Sequence, residues 1–233
     1  MKPLRLLLLL LALTSPVWAD MSYTFTPNPS NLNELNHLNW YLWKFSWKPV
    51  NNEIITGATL TFSNINNWAN ETNNRLQVHL LNNPGTTGWT SIGTRTENGF
   101  LQRTYQRSDN DNSKDNFASL SSSSQKLLGI YSDRDGHYGD MAPYSTVTFD
   151  FAHPANIPGT LTPAPSTLNL VDVLADWAVD GNWGIGIDPD CHFYNSGVTL
   201  TITTRAVPAP GAAILGMIGL GSVWYVRRRQ AAV

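Results

Sequence analysis

Cysteine is all but missing: Cys191 is the only one in 233 residues, so no disulfide within the chain can staple the fold and apolar packing has to hold it. Charge is thin as well, at 14% of residues, and the 15 Lys and Arg do not outnumber the 17 Asp and Glu. No basic patch stands ready to neutralise phosphates, which excludes nucleic acid as a partner. Lys and Glu, strong helix formers, are scarce through the middle of the chain, which argues against a helical domain. Gly-x-Ser-x-Gly, His-Glu-x-x-His and a Walker loop are absent, and His37, His79, His137, His153 and His192 are scattered. These absences lead to the expectation of a protein that is not an enzyme.

What the chain does have is 42% apolar residues, enough for a core, and two ends of distinctive composition. Lys2 and Arg5 open a basic start, a leucine-rich run fills 6–13, and Val17, Trp18 and Ala19 supply a cleavage pattern before Asp20. A membrane anchor needs about 20 apolar residues, and Thr14, Ser15 and Pro16 stop this run well short. Residues 1–19 therefore read as a secretory signal peptide. The far end runs Val207, Pro208, Ala209, Pro210, Gly211, then an apolar stretch over 212–226, then Arg227, Arg228 and Arg229. It predicts one transmembrane helix with its arginines snorkelling on the cytoplasmic side. The alternative, a buried C-terminal helix, sits badly with Gly211, Gly216, Gly219 and Gly221, which are ordinary only among packed membrane helices.

The tail VPAPGAAILGMIGLGSVWYVRRRQ resembles a PEP-CTERM sorting signal: a Pro-x-Pro motif, one hydrophobic helix and a terminal arginine cluster. Ala209 stands where the family name implies glutamate, and the three-part layout is otherwise kept. The resemblance covers 206–233 and implies an exported protein of a Gram-negative, exopolysaccharide-making bacterium. It also implies signal peptidase and exosortase as processing partners, and transient residence in the inner membrane before release to the cell surface or extracellular matrix. Five of the 15 basic residues lie in the two ends and none of the 17 acids does, so the domain at 20–205 carries 17 − 10, or seven, excess negative charges.

That domain is rich in Asn, Thr, Ser and Gly, and period-two alternation predicts strands at 40–47, 54–62, 76–81, 146–151, 183–187 and 198–203. Val198, Leu200 and Ile202 share one face against threonines, as do Ala58, Leu60 and Phe62, the pattern of a sandwich strand with one wet side. One helix is predicted over 168–179, where Leu170, Val173, Leu174 and Trp177 form an apolar stripe. The expected fold is all-β, a jelly-roll-like β-sandwich with one short helix, flanked by the signal peptide and the transmembrane helix. Residues 103–124, with DNDNSKDN and a serine run, read as a long loop or mobile insertion. The segments I-x-G-A-x-L-x-F at 55–62, NRLQVHLL, and GNWGIGIDPDCHFYNSGVTLTI resemble secreted jelly-roll modules related to carbohydrate-binding folds, a likeness that bears on fold more than activity.

Two candidate sites follow. Asp188 and Asp190, two residues apart, offer hard oxygen ligands for Ca2+; the alternative is a turn in which both satisfy backbone amides and His192 caps the strand. Zinc is disfavoured, because adjacent Cys191 and His192 do not match ligand spacing. The acidic run 109–115 reads as a solvated loop, since Lys114 stands where a calcium loop needs glycine. Asp133 and Asp135, with Asp140 beyond, form a second acidic run, in which Asp133 and Asp135 could share a calcium with Asp188 if the loops converge; paired carboxylates could also serve glycoside hydrolysis. Aromatic faces stack on sugar rings. Trp43, Phe45 and Trp47 alternate onto one face and read as core, whereas Trp68 and Trp89, in loop-like sequence, are the candidate glycan platform. The expected role is a surface or matrix protein associated with exopolysaccharide or biofilm. The alternatives are a dedicated glycan-binding module and a secreted polysaccharide hydrolase.

Overall fold

A computed structural model describes residues 20–50, 52–67, 74–109, 114–133, 145–153 and 169–207, together with Gly219. The signal peptide, Trp68 and the sorting motif from Pro208 onward lie outside the described residues. Among the described residues no helix is long and apolar enough to cross a membrane.

Among the described residues eleven strands form two antiparallel sheets: β1 (Asp20–Phe25), β2 (Asn39–Phe45), β3 (Glu53–Asn67), β4 (Asn74–Asn82), β5 (Thr90–Glu97), β6 (Phe100–Ser108), β7 (Gln125–Asp133), β8 (Ser145–Asp150), β9 (Trp183–Pro189), β10 (Phe193–Tyr194) and β11 (Gly197–Ala206). One sheet has the order β1-β11-β3-β10, with β8 also paired to β3; the other runs β5-β6-β2-β9-β4-β7. Alternation decides which side chains meet between them. Phe25, Leu60, Phe62, Leu200 and Ile202 from the first sheet join Trp43, Phe45, Leu80, Ile185 and Ile187 from the second in one core. The described residues thus form an all-β, two-sheet sandwich with one α-helix packed on it, consistent with the jelly-roll-like expectation.

All six predicted strands are present, and so is the helix, α1 (Leu170–Trp177). Asn169 caps it by accepting from the Val171 amide at 3.0 Å, Leu170 and Leu174 are fully buried, and the helix packs on β3. Cys191 is buried, where a thiol packs as a small apolar side chain. Trp43, Phe45 and Trp47 are core residues, also as expected.

The stretch 103–124 departs from expectation. Its first part is not loop but the second half of β6, paired residue for residue with β2 from Asn39↔Ser108 to Phe45↔Gln102. Asn98 and Gly99, at φ 54° and 80°, turn β5 into β6, a two-residue reversal whose positive φ values suit this dipeptide. Its last part is pinned to the sandwich by Phe117, which is 1% exposed.

One further irregularity is the connection from β1 to β2, where Leu32, Asn33, Glu34 and Leu35 all have positive φ, between 49° and 60°. Such left-handed residues cost about 1–2 kcal/mol each. Complete burial of Leu32 and Leu35 offsets that cost.

Candidate functional site

Strand β9 reads Trp-Gly-Ile-Gly-Ile-Asp, so its large side chains all point into the core and its other face carries Gly184, Gly186 and Asp188. Register places Gly186 opposite Leu42 on β2 and His79 on β4, and Leu42 opposite Tyr105 on β6. The outer face of the six-stranded sheet therefore has a trench where two glycines lie side by side with larger residues. Phe117 fills it, forming a second, smaller core with Leu42 and Leu81, against which Trp40, Trp89 and Tyr105 pack.

Polar contacts hold the same segment. Asp115 receives the Phe117 and Ala118 amides through Oδ1 at 3.0 and 3.2 Å, and its Oδ2 lies 2.9 Å from His79 Nε2. The other ring nitrogen of His79 lies 2.8 Å from Gln125 Oε1. Asp188 Oδ2 accepts from the Asn116 amide at 2.6 Å. The run read as a solvated loop is thus anchored at both described ends: Asp109 is buried at 9% exposure, with its amide bonded to the Leu38 carbonyl. A polar sequence hid this because its anchors are side-chain-to-backbone bonds, which leave no hydrophobic period.

Between this segment and the ends of β2 and β6 lies a concavity of about 430 Å³, bounded by Trp40, Arg107, Asp109, Lys114, Asn116 and Ser119. Trp40 is its aromatic wall. The ring is 4.6 Å from Trp89 and 4.8 Å from Phe117, and the Arg107 guanidinium sits over it at 5.5 Å. Trp89, the described half of the predicted platform, is half-buried and backs Trp40 rather than standing free. Trp40 was legible in principle: in Trp-Tyr-Leu-Trp-Lys-Phe-Ser-Trp it has opposite parity to the core residues Trp43, Phe45 and Trp47.

The two carboxylates offered for Ca2+ each serve a different backbone amide. Asp188 takes that of Asn116, while Asp190 takes that of Arg75 and returns its own amide to the Arg75 carbonyl at 2.9 Å. Both carboxylates thus accept from backbone amides, but from segments distant in sequence rather than within a local turn. Among the described residues no three His, Cys, Asp or Glu side chains are arranged to hold a metal. His192 faces Glu34 at 3.7 Å, and burial lowers its pKa against the opposing pull of that carboxylate. Asp135 and Asp140 lie outside the described residues.

Burial pushes the Asp188 carboxyl up to about 7, with the nearby Asp109 and Asp115 adding to the rise and hydrogen bonding from Asn116 opposing it. The fold therefore favours the protonated acid. This contribution to stability is complete below the unfolded value of 3.8 and is lost as pH climbs through about 7. Asp188→Asn keeps an acceptor for Asn116 without the charge. Urea titrations should find the variant close to wild type near pH 4 and more stable near pH 8, by at most about 4 kcal/mol. An equal difference at both pH values would show that Asp188 does not titrate in this way. No protein-family model, no curated protein and no solved structure matches this chain, so its functional reading rests on the geometry of this groove.

Proposed function

We propose that this is an exported surface protein whose sandwich is a non-catalytic glycan-binding module, with the Trp40 groove as its site. The observation that carries the proposal is the groove's chemistry: one aromatic wall, with Leu120 and hydroxyl, amide, carboxylate and cationic groups around the rest. Its volume, about 430 Å³, falls in the range of small-molecule sites, but those are mostly apolar. A wall so polar suits a ligand covered in hydroxyls, whose hydrogen bonds it can replace. Glycan binding is favoured over hydrolysis by the position of Asp188, among the described residues the one carboxyl with the raised pKa of a general acid. It is 2% exposed and engaged by Asn116, out of reach of a sugar chain in the groove.

Export and sorting complete the proposal. Signal peptidase cuts after Ala19, the tail from 206 to 233 holds the precursor at the inner membrane, and exosortase removes that tail to release the module to exopolysaccharide or biofilm. Mass spectrometry of the mature termini should find Asp20 first and the arginine cluster gone. Recovery of intact protein from Met1 to Val233 would contradict the processing.

The site is tested by titrating the purified protein with the producing organism's polysaccharide and a glycan array. Ser119 is exposed on the groove wall, so Ser119→Trp fills the site without touching the core. Saturable binding that weakens at least about tenfold in this variant supports the proposal, a loss equal to roughly 1.4 kcal/mol. Absence of binding to every glycan would overturn it, and release of reducing ends would assign a hydrolase instead.

A further inference from the structure

Resting on the glycan reading of this groove, the geometry points to a narrower ligand class: saccharides bearing a carboxylate, with a uronic acid residue read by Arg107. The aromatic surface is largely committed within the protein, since Trp40 is packed by Trp89, Phe117 and the Arg107 guanidinium itself. What the groove presents to a ligand is therefore less a bare ring than a guanidinium fixed on one.

One contact orients that group: it lies 5.5 Å over the Trp40 centroid, with the Gly88 backbone alongside it. Among the described residues no carboxylate pairs with Arg107, although the side chain is exposed. An arginine held by a cation–π contact keeps its N–H fork available, and that planar fork matches a carboxylate in bidentate fashion. Among the described residues that line the groove, two cations, Arg107 and Lys114, stand beside one carboxylate, Asp109, so an anionic ligand meets cationic groups here.

The test uses oligogalacturonate as the probe and its methyl ester as the control, which keeps every hydroxyl and removes the charge. Calorimetry on the full protein should show the free acid binding at least about tenfold more tightly than the ester, the scale of one charged hydrogen-bonded pair. Arg107→Gln should abolish that preference, so that acid and ester bind with equal affinity, and Arg107→Lys should restore only part of it, since charge returns without the fork. Raised salt should weaken acid binding and not ester binding. Equal affinity for acid and ester, or a preference that survives Arg107→Gln, overturns the inference and leaves the glycan module standing. Failure of both probes and of every neutral or acidic glycan overturns the two together.

Discussion

Replacing Gly186 by alanine should detach the 114–124 segment and abolish binding in the groove while the sandwich stays folded. A Cβ at this position would lie 2.6 Å from Phe117 Cζ and 2.7 Å from its Cε1, distances no real side chain occupies. The ring has no easy way to move aside, because Trp40, His79 and Trp89 surround it with centroids at 4.8, 5.5 and 6.4 Å. Phe117 must leave the trench, and Asn116 and Asp115, bonded to Asp188 and His79, lose their alignment with it. Overpacking of this kind costs about 1–3 kcal/mol, too little to unfold a typical domain. Limited proteolysis should cleave the variant within the serine run, and groove binding should fall below detection. Adding Phe117→Ala vacates the space, so the double variant should lose less stability than the two singles summed. A Gly186→Ala protein with wild-type affinity and protease resistance would show that Phe117 is not the latch.

Trp183→Ala should have the largest effect on stability. Trp183 is fully buried, stacked on Phe45 at 4.3 Å with planes 12° apart and meeting Trp47 edge-on at 6.3 Å. Its indole N–H donates to the Trp47 carbonyl at 2.8 Å. Truncation to alanine at such sites costs about 3–5 kcal/mol, and an orphaned buried carbonyl adds about 1–3 kcal/mol more. Against a typical total of about 5–15 kcal/mol, urea denaturation should find the variant largely or wholly unfolded at 37 °C. Trp183→Phe keeps the stacking and loses the hydrogen bond, so it should fall between. A loss below about 1 kcal/mol for Trp183→Ala would mean the core closes over the gap far better than such sites do.

Alternation was legible because the core imposes a strict period of two: Val198, Leu200 and Ile202 announced β11, which has one wet face, and the Trp-Gly-Ile-Gly-Ile run announced β9, which is buried on both. Strand β5 escaped because its side chains are exposed or half-buried along its length, so an edge strand carries no dry face to read. The Asn98-Gly99 turn marked the β5–β6 hairpin all the same, and its flanks were too polar for the turn to be recognised. The groove was harder still. It depends on one phenylalanine in a polar segment meeting a glycine almost 70 residues later, a pairing that no local pattern encodes. The parity of Trp40 and the empty outer face of β9 were both in the sequence. What it lacked was the register that brings them to the same place.

The most direct test of the glycan site is a saccharide titration followed through the indole N–H resonances of the labelled protein. The groove account predicts that Trp40 moves most, with Trp89 following it, while Trp43, Trp47 and Trp183, sealed in the core, stay where they are. Saturable binding with the Trp40 resonance unmoved would contradict it, because the ligand would then occupy some other surface.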